Sequence, residues 1–442
     1  MIFSNKDLKA MIIPLLAEQF LLMLVGLADT FIVSYAGEAA VSGVSLVNSF
    51  NTIFIYLFTA LASGGAVVVS QYIGSGQKKE ASETISQLLM ISTLFSIVIT
   101  IVVLAFNGML IGALFGRVEQ DVRDSCITYL RISAYSYPAL AIYNTGAALY
   151  RSIGKTSTTM YISIVSNVIN VIGNVIGVFV LKAGVAGVAY PSLIARTFSA
   201  VVITVLCFRS NEGIQYIWKD IIAWNGALLK KILGIAIPNG IESGVFQFVK
   251  VALSSVVALF GTYQIAANGI AQSIWSVAAL ISSSMGPVFI TVIGQCMGAG
   301  ETEQAEHYFK KLMKITLGLA LIWNVLIFAI TPFLMNAYAV SDQTRRLVIW
   351  LVLIHNIANG LIFPFADPLG KGLRAAGDVT FTMGISLFTT IGVRFVLSIL
   401  FAIVLDLGVI GIALAMCMDW FTRAVIFAVR FKQGKWKTFR VI

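Results

Sequence analysis

The sequence predicts an all-α membrane protein in which twelve transmembrane helices form two pseudo-symmetric lobes of six. Of its 442 residues, 58% are hydrophobic and only 11% are charged, a composition unlike that of soluble globular proteins. Twelve apolar runs are long enough to cross the hydrocarbon core as helices, which satisfy their own backbone hydrogen bonds there. These runs cover about 8–35, 45–73, 88–114, 126–150, 158–181, 184–208, 232–260, 268–296, 311–338, 346–370, 380–404 and 408–431.

The second half of the chain repeats the first at a constant offset, the one that separates Pro14 from Pro238. At the same offset, QYIGSG at 71–76 recurs as QCMGAG at 295–300, and GVAGVA at 184–189 as GVIGIA at 408–413. RSIG at 151–154 recurs as RAAG at 374–377, where the offset is one residue shorter. A register held over most of two halves indicates one duplicated bundle. Secondary transporters are built from such repeats, with the transport path at their interface.

The repeat and the polarity of the chain predict three segments. Residues 1–208 form the first lobe with spans 1–6, and 232–442 form the second lobe with spans 7–12 and a short basic tail. Between them, 209–231 is a polar cytoplasmic linker. Trp218 and Trp224 favour an amphipathic helix on the membrane surface, and a simple tether between the lobes is the alternative.

The distribution of basic residues predicts the orientation. Most of the 30 lysines and arginines fall at the termini and in the even-numbered loops, and positive loops stay on the cytoplasmic side. We therefore expect a multi-pass protein of the cell membrane with both termini in the cytoplasm. The same scattering of charge along loop ends argues against a nucleic-acid partner, although the net charge is +10.

Catalytic and metal-binding motifs are absent from the sequence. Its four cysteines are scattered, its two histidines are too few for a cluster, and it contains no Walker A, GxSxG or HExxH pattern. We expect neither an enzyme nor a cofactor. Transport would then be driven by an ion gradient.

Ionisable residues inside spans are costly and are functional candidates. Asp29 lies in the outer half of span 1, three turns after Glu18 on the same helix face, and Asn170 and Asn174 lie one turn apart in span 5. With Ser192 of span 6 at similar depth, they form an oxygen-rich group suited to a proton or a small hard cation. We predict a coupling site for H⁺ or Na⁺ at these five residues. The alternative is that the asparagines are interhelical hydrogen-bonding residues.

The second lobe does not copy this site, because Asp29 aligns with Leu253 and Asn170 with Arg394. Its own polar residues within spans predict the lining of a substrate cavity: Glu242, Gln247, Lys250, His355 and Asp367. Arg394 and Asp419 lie at similar depth on neighbouring spans, and we interpret them as a structural ion pair. Pro14 removes a backbone hydrogen bond in span 1 and is the predicted hinge.

Taken together, these motifs resemble the multidrug and toxic compound extrusion (MATE) transporters. The likeness rests on the six-plus-six repeat, Pro14 followed by Asp29, the paired asparagines of span 5, and the QYIGSG and RSIG/RAAGD loops. It implies a V-shaped pair of lobes and a monomer in the lipid bilayer that exports lipophilic, often cationic small molecules in exchange for H⁺ or Na⁺. It also assigns Asp29, Asn170, Asn174 and Ser192 to a first-lobe cation site.

Two departures from that pattern bear on the coupling ion. Asn174 stands where the family often has an aspartate, and Lys250 lies near where some branches place an acidic cation ligand. Flippases or exporters of lipid-linked saccharides from the same superfamily are the alternative, since Arg196, Arg394 and Lys250 within spans could hold phosphates. A channel is less compatible with two unlike lobes.

The orientation can be checked by thiol labelling from outside the cell. In a background without the native cysteines, Lys78→Cys and Lys310→Cys should resist an impermeant thiol reagent until the membrane is opened, because both lie in basic loops. Ser341→Cys, in an odd-numbered loop, should react at once. Labelling of residues 78 and 310 in intact cells would contradict this topology.

Overall fold

The computed structural model describes residues 2–116 and 118–442, so that the first residue of the predicted first lobe lies outside it. Within these ranges the chain consists of helices and connecting loops, without a strand. The first half contains α1 to α9: Asn5–Ser34, Glu38–Gly74, Lys78–Ala105, Asn107–Phe115, Gln120–Ala134, Tyr137–Ser152, Thr156–Val175, Ala186–Phe208 and Trp218–Ile222. A π-helical turn, Ile176–Val180, extends α7.

The second half begins within α10, Gly226–Val257, which a 3₁₀ turn, Ala258–Phe260, extends. Helices α11 to α19 follow: Thr262–Ala278, Leu280–Gly298, Thr302–Ala337, Asp342–Leu361, Phe363–Ala366, Pro368–Ala375, Val379–Phe388, Val396–Ile399 and Gly408–Gln433. Two π-helical segments, Thr389–Phe395 and Leu400–Val404, lie on either side of α18, and a 3₁₀ turn, Lys435–Thr438, closes the chain.

The predicted all-α membrane class is confirmed. In the described ranges ten helices are long and apolar enough to cross a membrane, and α14 with the bent segment Phe363–Ala375 makes an eleventh candidate. The predicted span 126–150 is not one continuous helix. It consists of α5 and α6, which are 15 and 16 residues long. Pro138 lies in the first turn of α6, where its missing N–H costs nothing, and this explains the break.

The chain divides into two compact units. One is Ser4–Gly240, and the other is Ile241–Ile442, with which Ile2 and Phe3 are grouped. The division falls within α10, a few residues after the predicted linker. Each unit has its own apolar core; in the first, Val47, Leu130 and Tyr137 are fully buried.

Backbone conformation repeats with the sequence. Gly76 and Gly300, which end the two matching QYIGSG and QCMGAG motifs, both have a φ of 77°. That left-handed conformation closes the tight turn between two antiparallel helices and suits glycine. Lys182 and Asp406, which are also equivalent in the repeat, have φ values of 49° and 55° although neither is glycine.

The linker between the halves is bound to the first unit. Trp218–Ile222 forms a short helix, and the segment around it is hydrogen-bonded to Ser82, Ser86 and Gln87 of α3. The backbone N–H groups of Gln215, Ile217 and Asn225 donate to these three side chains at 3.1, 3.0 and 3.0 Å. The residues after Arg209 are therefore held along α3 until α10 begins.

The π turn after α7 packs against α8 at two glycines, Gly177 and Gly187, which have no side chains. A Cβ atom on either Gly177 or Gly187 would overlap the backbone of the other, and a Cβ on Gly173 would lie 2.7 Å from Pro191. Small residues at helix crossings allow this approach in membranes. The contact fixes α8 against the end of α7.

Gly187→Ala should therefore destabilise the protein. The added methyl group meets backbone that cannot rotate away, and overpacking of this kind costs about 1–3 kcal/mol. We expect a clear fall in the melting temperature of the detergent-solubilised protein. Gly108→Ala, at a glycine with open space around it, is the matched control and should be nearly neutral. Equal melting temperatures for the two variants would show that the crossing is not tightly packed.

Candidate functional site

The structure brings Asp29 together with the two asparagines predicted beside it. Asn170 Nδ2 donates to both carboxylate oxygens of Asp29, at 3.2 and 3.0 Å, and Asn174 Nδ2 donates to Oδ1 at 2.7 Å. Ser192 Oγ donates to Asn170 Oδ1 at 3.1 Å. Asn174 is 1% exposed, whereas Asp29 is half-buried. These four residues are here called the Asp29 cluster.

The local sequence explains why this cluster forms. Asn170 and Asn174 are one helical turn apart in α7, so both amides face α1. The absence of side chains at Gly177 and Gly187 draws α8 against α7, which places Ser192 within hydrogen-bonding distance of Asn170. The cluster thus joins the three helices α1, α7 and α8.

The Asp29 carboxylate is held by hydrogen-bond donors that carry no charge. No lysine or arginine in the described ranges forms an ion pair with Asp29, and its side-chain partners are amide N–H groups. Asn174 Oδ1 is buried without a hydrogen-bond partner. A carboxylate in this setting keeps the capacity to accept a cation, because no fixed positive charge has already neutralised it.

Glu18, the fifth residue predicted for the coupling site, has different partners. Its carboxylate accepts from Arg151 at 3.3 and 3.4 Å, from Thr159 at 3.2 Å and from Tyr143 at 3.5 Å. The Glu18 side chain is 3% exposed, and the pair with Arg151 neutralises its charge. The structure therefore does not bring Glu18 to the Asp29 cluster.

The Glu18 arrangement is duplicated in the second unit. Glu242 pairs with Arg374, which also donates from Nε to Thr382 Oγ1 at 3.1 Å. Glu242 and Glu18 are repeat equivalents, as are Arg374 and Arg151. Sequence analysis missed these pairs, although Glu18 recurs as Glu242 in the same register as Pro14 and Pro238. Their joint recurrence in both halves was the signal that could have shown the pairing.

Pro14 lies within an unbroken helix, and a threonine replaces the lost hydrogen bond. Pro14 has no N–H for the carbonyl of Ala10, and that oxygen instead accepts from Thr156 Oγ1 at 3.2 Å. The same hydroxyl contacts the carbonyl oxygen of Met11 at 2.8 Å. Threonine side chains commonly satisfy backbone freed by proline in membrane helices. The role of Pro14 as a hinge stays a prediction.

The residues predicted to line a cavity in the second lobe differ in their surroundings. Asp367 pairs with Lys371 at 2.8 Å, and Glu242 is bound by Arg374, so neither carboxylate is free. Gln247 is half-buried and Lys250 is exposed. His355 is 1% exposed, and neither ring nitrogen has a hydrogen-bond partner.

The predicted contact between Arg394 and Asp419 is present but long, with Nη1 and Oδ2 3.9 Å apart. Arg423, which sequence analysis missed, is nearer to Asp419, at 2.9 Å. It also donates to Thr389 and Thr390 at 3.2 and 3.1 Å. The spacing of Asp419 and Arg423, one turn apart on one helix, is the signal that would have indicated this pair.

Sequence analysis also missed a hydrogen-bonded group inside the first unit. Tyr137 donates to Asn51 Oδ1 at 2.6 Å, and Asn51 Nδ2 donates to Ser133 at 3.1 Å. Arg196, within α8, donates to Ser136 at 2.7 Å. Ser136 lies at the break between α5 and α6, so the intramembrane arginine is bound where the fourth span is interrupted.

Membrane-length helices built twice from one repeat are the architecture of membrane transporters. The chain belongs to the MatE family. The sequence model of that family matches residues 14–176 and again 238–400. The first match begins at Pro14 and the second at Pro238, so the two matches are separated by the offset of the internal repeat.

Known relatives match the chain over nearly its full length. It is 26% identical to the uncharacterized transporter YisQ of Bacillus subtilis over 430 residues, covering 96% of this chain and 93% of YisQ. It is 22% identical to the probable multidrug resistance protein NorM of Thermotoga maritima, covering 98% of this chain and 93% of NorM. A crystal structure of MATE in complex with MaL6 has the same fold, with a TM-score of 0.90 at 19% identity, covering 97% and 96% of the chains.

The ion pair of Glu18 with Arg151 predicts that a double variant without either charge is more stable than the variant that lacks only the arginine. Arg151→Gln leaves a buried carboxylate unpaired, a change that costs about 3–5 kcal/mol for a fully buried pair and less here, where Arg151 is partly exposed. The double variant Glu18→Gln/Arg151→Gln removes both charges and should melt at a higher temperature than Arg151→Gln alone. If the double variant melts at the lower temperature, the pair is not electrostatically coupled.

Proposed function

We propose that this protein is a secondary antiporter that exports lipophilic small molecules in exchange for H⁺ or Na⁺. The observation that carries the proposal is the Asp29 cluster, a carboxylate without a basic partner that accepts three hydrogen bonds from two buried amides. Relatives named as probable multidrug resistance proteins support export of drug-like molecules. The basic cytoplasmic loops support a cell-membrane location with both termini inside.

Coupling would follow from the two charge states of Asp29. As a carboxylate, Asp29 attracts the N–H donors of Asn170 and Asn174 and holds α1 against α7. A proton on either oxygen turns an acceptor into a donor, and one amide N–H must then move or rotate. Ion occupancy therefore changes the free energy of the α1–α7 contact, which is the differential interaction that population shifts require.

The two coupling ions place different demands on the cluster. Proton exchange needs only the carboxylate and an amide oxygen that can accept, such as the unpartnered Asn174 Oδ1. Na⁺ needs several oxygen ligands pointing inward, so both asparagine side chains would have to turn their oxygens toward the ion.

Pro14 and Thr156 would limit where α1 bends. The helix is weakest at the turn before Pro14, because Ala10 has no backbone donor there. Thr156 holds that turn to the start of α7. Loss of the Asp29 hydrogen bonds would then free the part of α1 after Pro14 while the part before it stays attached.

The substrate would be a lipophilic molecule that enters from the bilayer or the cytoplasm. Family membership supports a small-molecule cargo, and a monomer is sufficient because the Asp29 cluster is complete within one chain. One elementary charge moving through the membrane provides about 2.3 kcal/mol per 100 mV, enough for moderate accumulation with a single ion.

The alternative is the transport of a lipid-linked saccharide. The positive residues within the second unit favour it, because phosphate groups in membranes are held by such side chains. Transport of a lipid-linked saccharide in place of dye efflux would support this alternative.

Asp29→Asn tests the coupling site directly. The amide preserves shape but cannot titrate, so uphill efflux of rhodamine 6G from proteoliposomes should fall to the passive rate. Affinity for the dye should stay within about threefold of wild type. Separate imposed gradients of pH and of Na⁺ identify the ion.

Asp121→Asn is the matched control, since Asp121 is exposed at the start of α5. It should transport as wild type does. Gradient-driven uphill efflux by Asp29→Asn at the wild-type rate would disprove the coupling role of Asp29.

A further inference from the structure

The register of the internal repeat changes inside the eleventh span. Arg151 and Thr159 correspond to Arg374 and Thr382, whereas GVAGVA at 184–189 corresponds to GVIGIA at 408–413 at an offset that is one residue longer. The second half therefore holds one additional residue between Thr382 and the start of α19. A π-helical segment, Thr389–Phe395, lies in this interval, while the equivalent part of α7 is regular α-helix. Wider π turns accommodate such an insertion and are frequent at functional sites.

Arg394 lies in this π segment and is poorly satisfied by the protein. It is 7% exposed, its Nε has no hydrogen-bond partner, and its contact with Asp419 is 3.9 Å long. Asp419 Oδ1 accepts from Arg423, whose guanidinium also bonds to Thr389 and Thr390. Asp419 Oδ2 faces Arg394 and has no hydrogen-bond partner, so one carboxylate is shared by two arginines. Arg394, Arg423 and Asp419 together carry one net positive charge in a buried place.

Asp419 is the one carboxylate that forms an ion pair with Arg394 among the described residues. Lys250 lies one turn after Phe246, whose ring contacts the Arg394 guanidinium. Val249, Ile354 and Phe395, the sequence neighbours of Lys250, His355 and Arg394, pack in or against one apolar core cluster. Lys250 forms no ion pair within the described ranges, and both His355 ring nitrogens are unpartnered. The Ser398 hydroxyl is buried without a partner as well. A buried positive charge with unpaired donors is costly unless an anion neutralises it.

We propose that Arg394, with Lys250 and His355, forms a site in the second unit that binds the carboxylate of a lipophilic substrate. This inference rests on the proposed transport function and specifies its substrate class. In the repeat, Arg394 takes the position of Asn170 and Ser398 that of Asn174. The second unit therefore carries the charge-inverted counterpart of the Asp29 cluster.

The chemistry of the site favours a carboxylate over other groups. A guanidinium fork matches two carboxylate oxygens. One negative charge neutralises the buried group of Arg394, Arg423 and Asp419, while the Lys250 side chain is exposed. The Phe246 ring lies 4.9 Å from the Arg394 guanidinium carbon and offers an apolar face for the rest of the molecule. His355 supplies one further N–H donor.

Binding of three probes with the same aromatic body tests the assignment. Pyrenebutyrate, pyrenebutanol and pyrenebutyl phosphate are titrated into the purified full-length protein in detergent, and pyrene fluorescence anisotropy reports binding. We expect pyrenebutyrate to bind about tenfold more tightly than the alcohol. Equal affinity for carboxylate and alcohol would overturn the site. Tighter binding of the phosphate probe than of the carboxylate would overturn the carboxylate assignment in favour of a phosphate-bearing lipid.

Single variants test which residues of the second unit produce the preference for a carboxylate over an alcohol. Arg394→Gln should reduce the carboxylate preference to about twofold or less while affinity for pyrenebutanol is unchanged. Lys250→Met, at an exposed residue, should reduce the carboxylate preference in part. This variant still tests the site if Arg394→Gln does not fold. Lys314→Met, an exposed lysine of α13, should change neither affinity. The proposal is contradicted if every one of the two single variants Arg394→Gln and Lys250→Met that folds keeps the full carboxylate preference.

Asp29→Asn separates this inference from the proposed antiport. It should lose gradient-driven efflux and keep the carboxylate preference, because the two sites belong to different units. If Asp29→Asn retains efflux but wild type shows the carboxylate preference, the coupling site is wrong and the carboxylate site stands. If the preference is absent while Asp29→Asn abolishes efflux, the carboxylate site alone is overturned.

Discussion

In each unit a carboxylate of the first span is paired with an arginine of another helix, because an unpaired charge in hydrocarbon is costly. Glu18 is paired with Arg151 and Glu242 with Arg374, so in each half a carboxylate on the first span is bound to an arginine at the end of the fourth. The pairs join these two spans in each bundle. Because they recur in both halves, they belong to the duplicated scaffold, and the residues that differ between the halves are free to serve transport.

Two departures from that scaffold distinguish the halves. In the first, Asp29 is held by amides in place of an arginine, so no basic side chain in the described ranges pairs with it. In the second, Arg394 lies in the π segment of the interval that holds the additional residue, and it shares the Asp419 carboxylate with Arg423. Among the described residues, one half thus has a carboxylate without a basic partner and the other has two arginines at one carboxylate. An exchanger that moves a positive ion against an organic molecule can use both the carboxylate without a basic partner and the buried arginines.

Sequence alone predicted the helical class, the duplication and the grouping of Asp29 with Asn170, Asn174 and Ser192, because periodicity and depth are fixed by the rise of a helix. The recurrence of Glu18 and Arg151 in both halves marks them as candidates for a pair, but their contact depends on helix rotation, which the sequence does not give. Sequence analysis also predicted a continuous fourth span, since the apolar run 126–150 conceals the break before Pro138. Local hydrogen bonds at Ser136 accompany that break, and hydrophobicity does not report them.

Thr156 connects the beginning of α1 to α7. The helix is attached to α7 twice, at Ala10 and Met11 through a threonine hydroxyl and at Asp29 through two amides. Pro14 lies between these attachments. If an ion releases the Asp29 hydrogen bonds, as proposed, the attachment through Thr156 remains, because a threonine hydroxyl does not titrate. The part of α1 that would then move runs from Pro14 to Ser34, whatever the cargo.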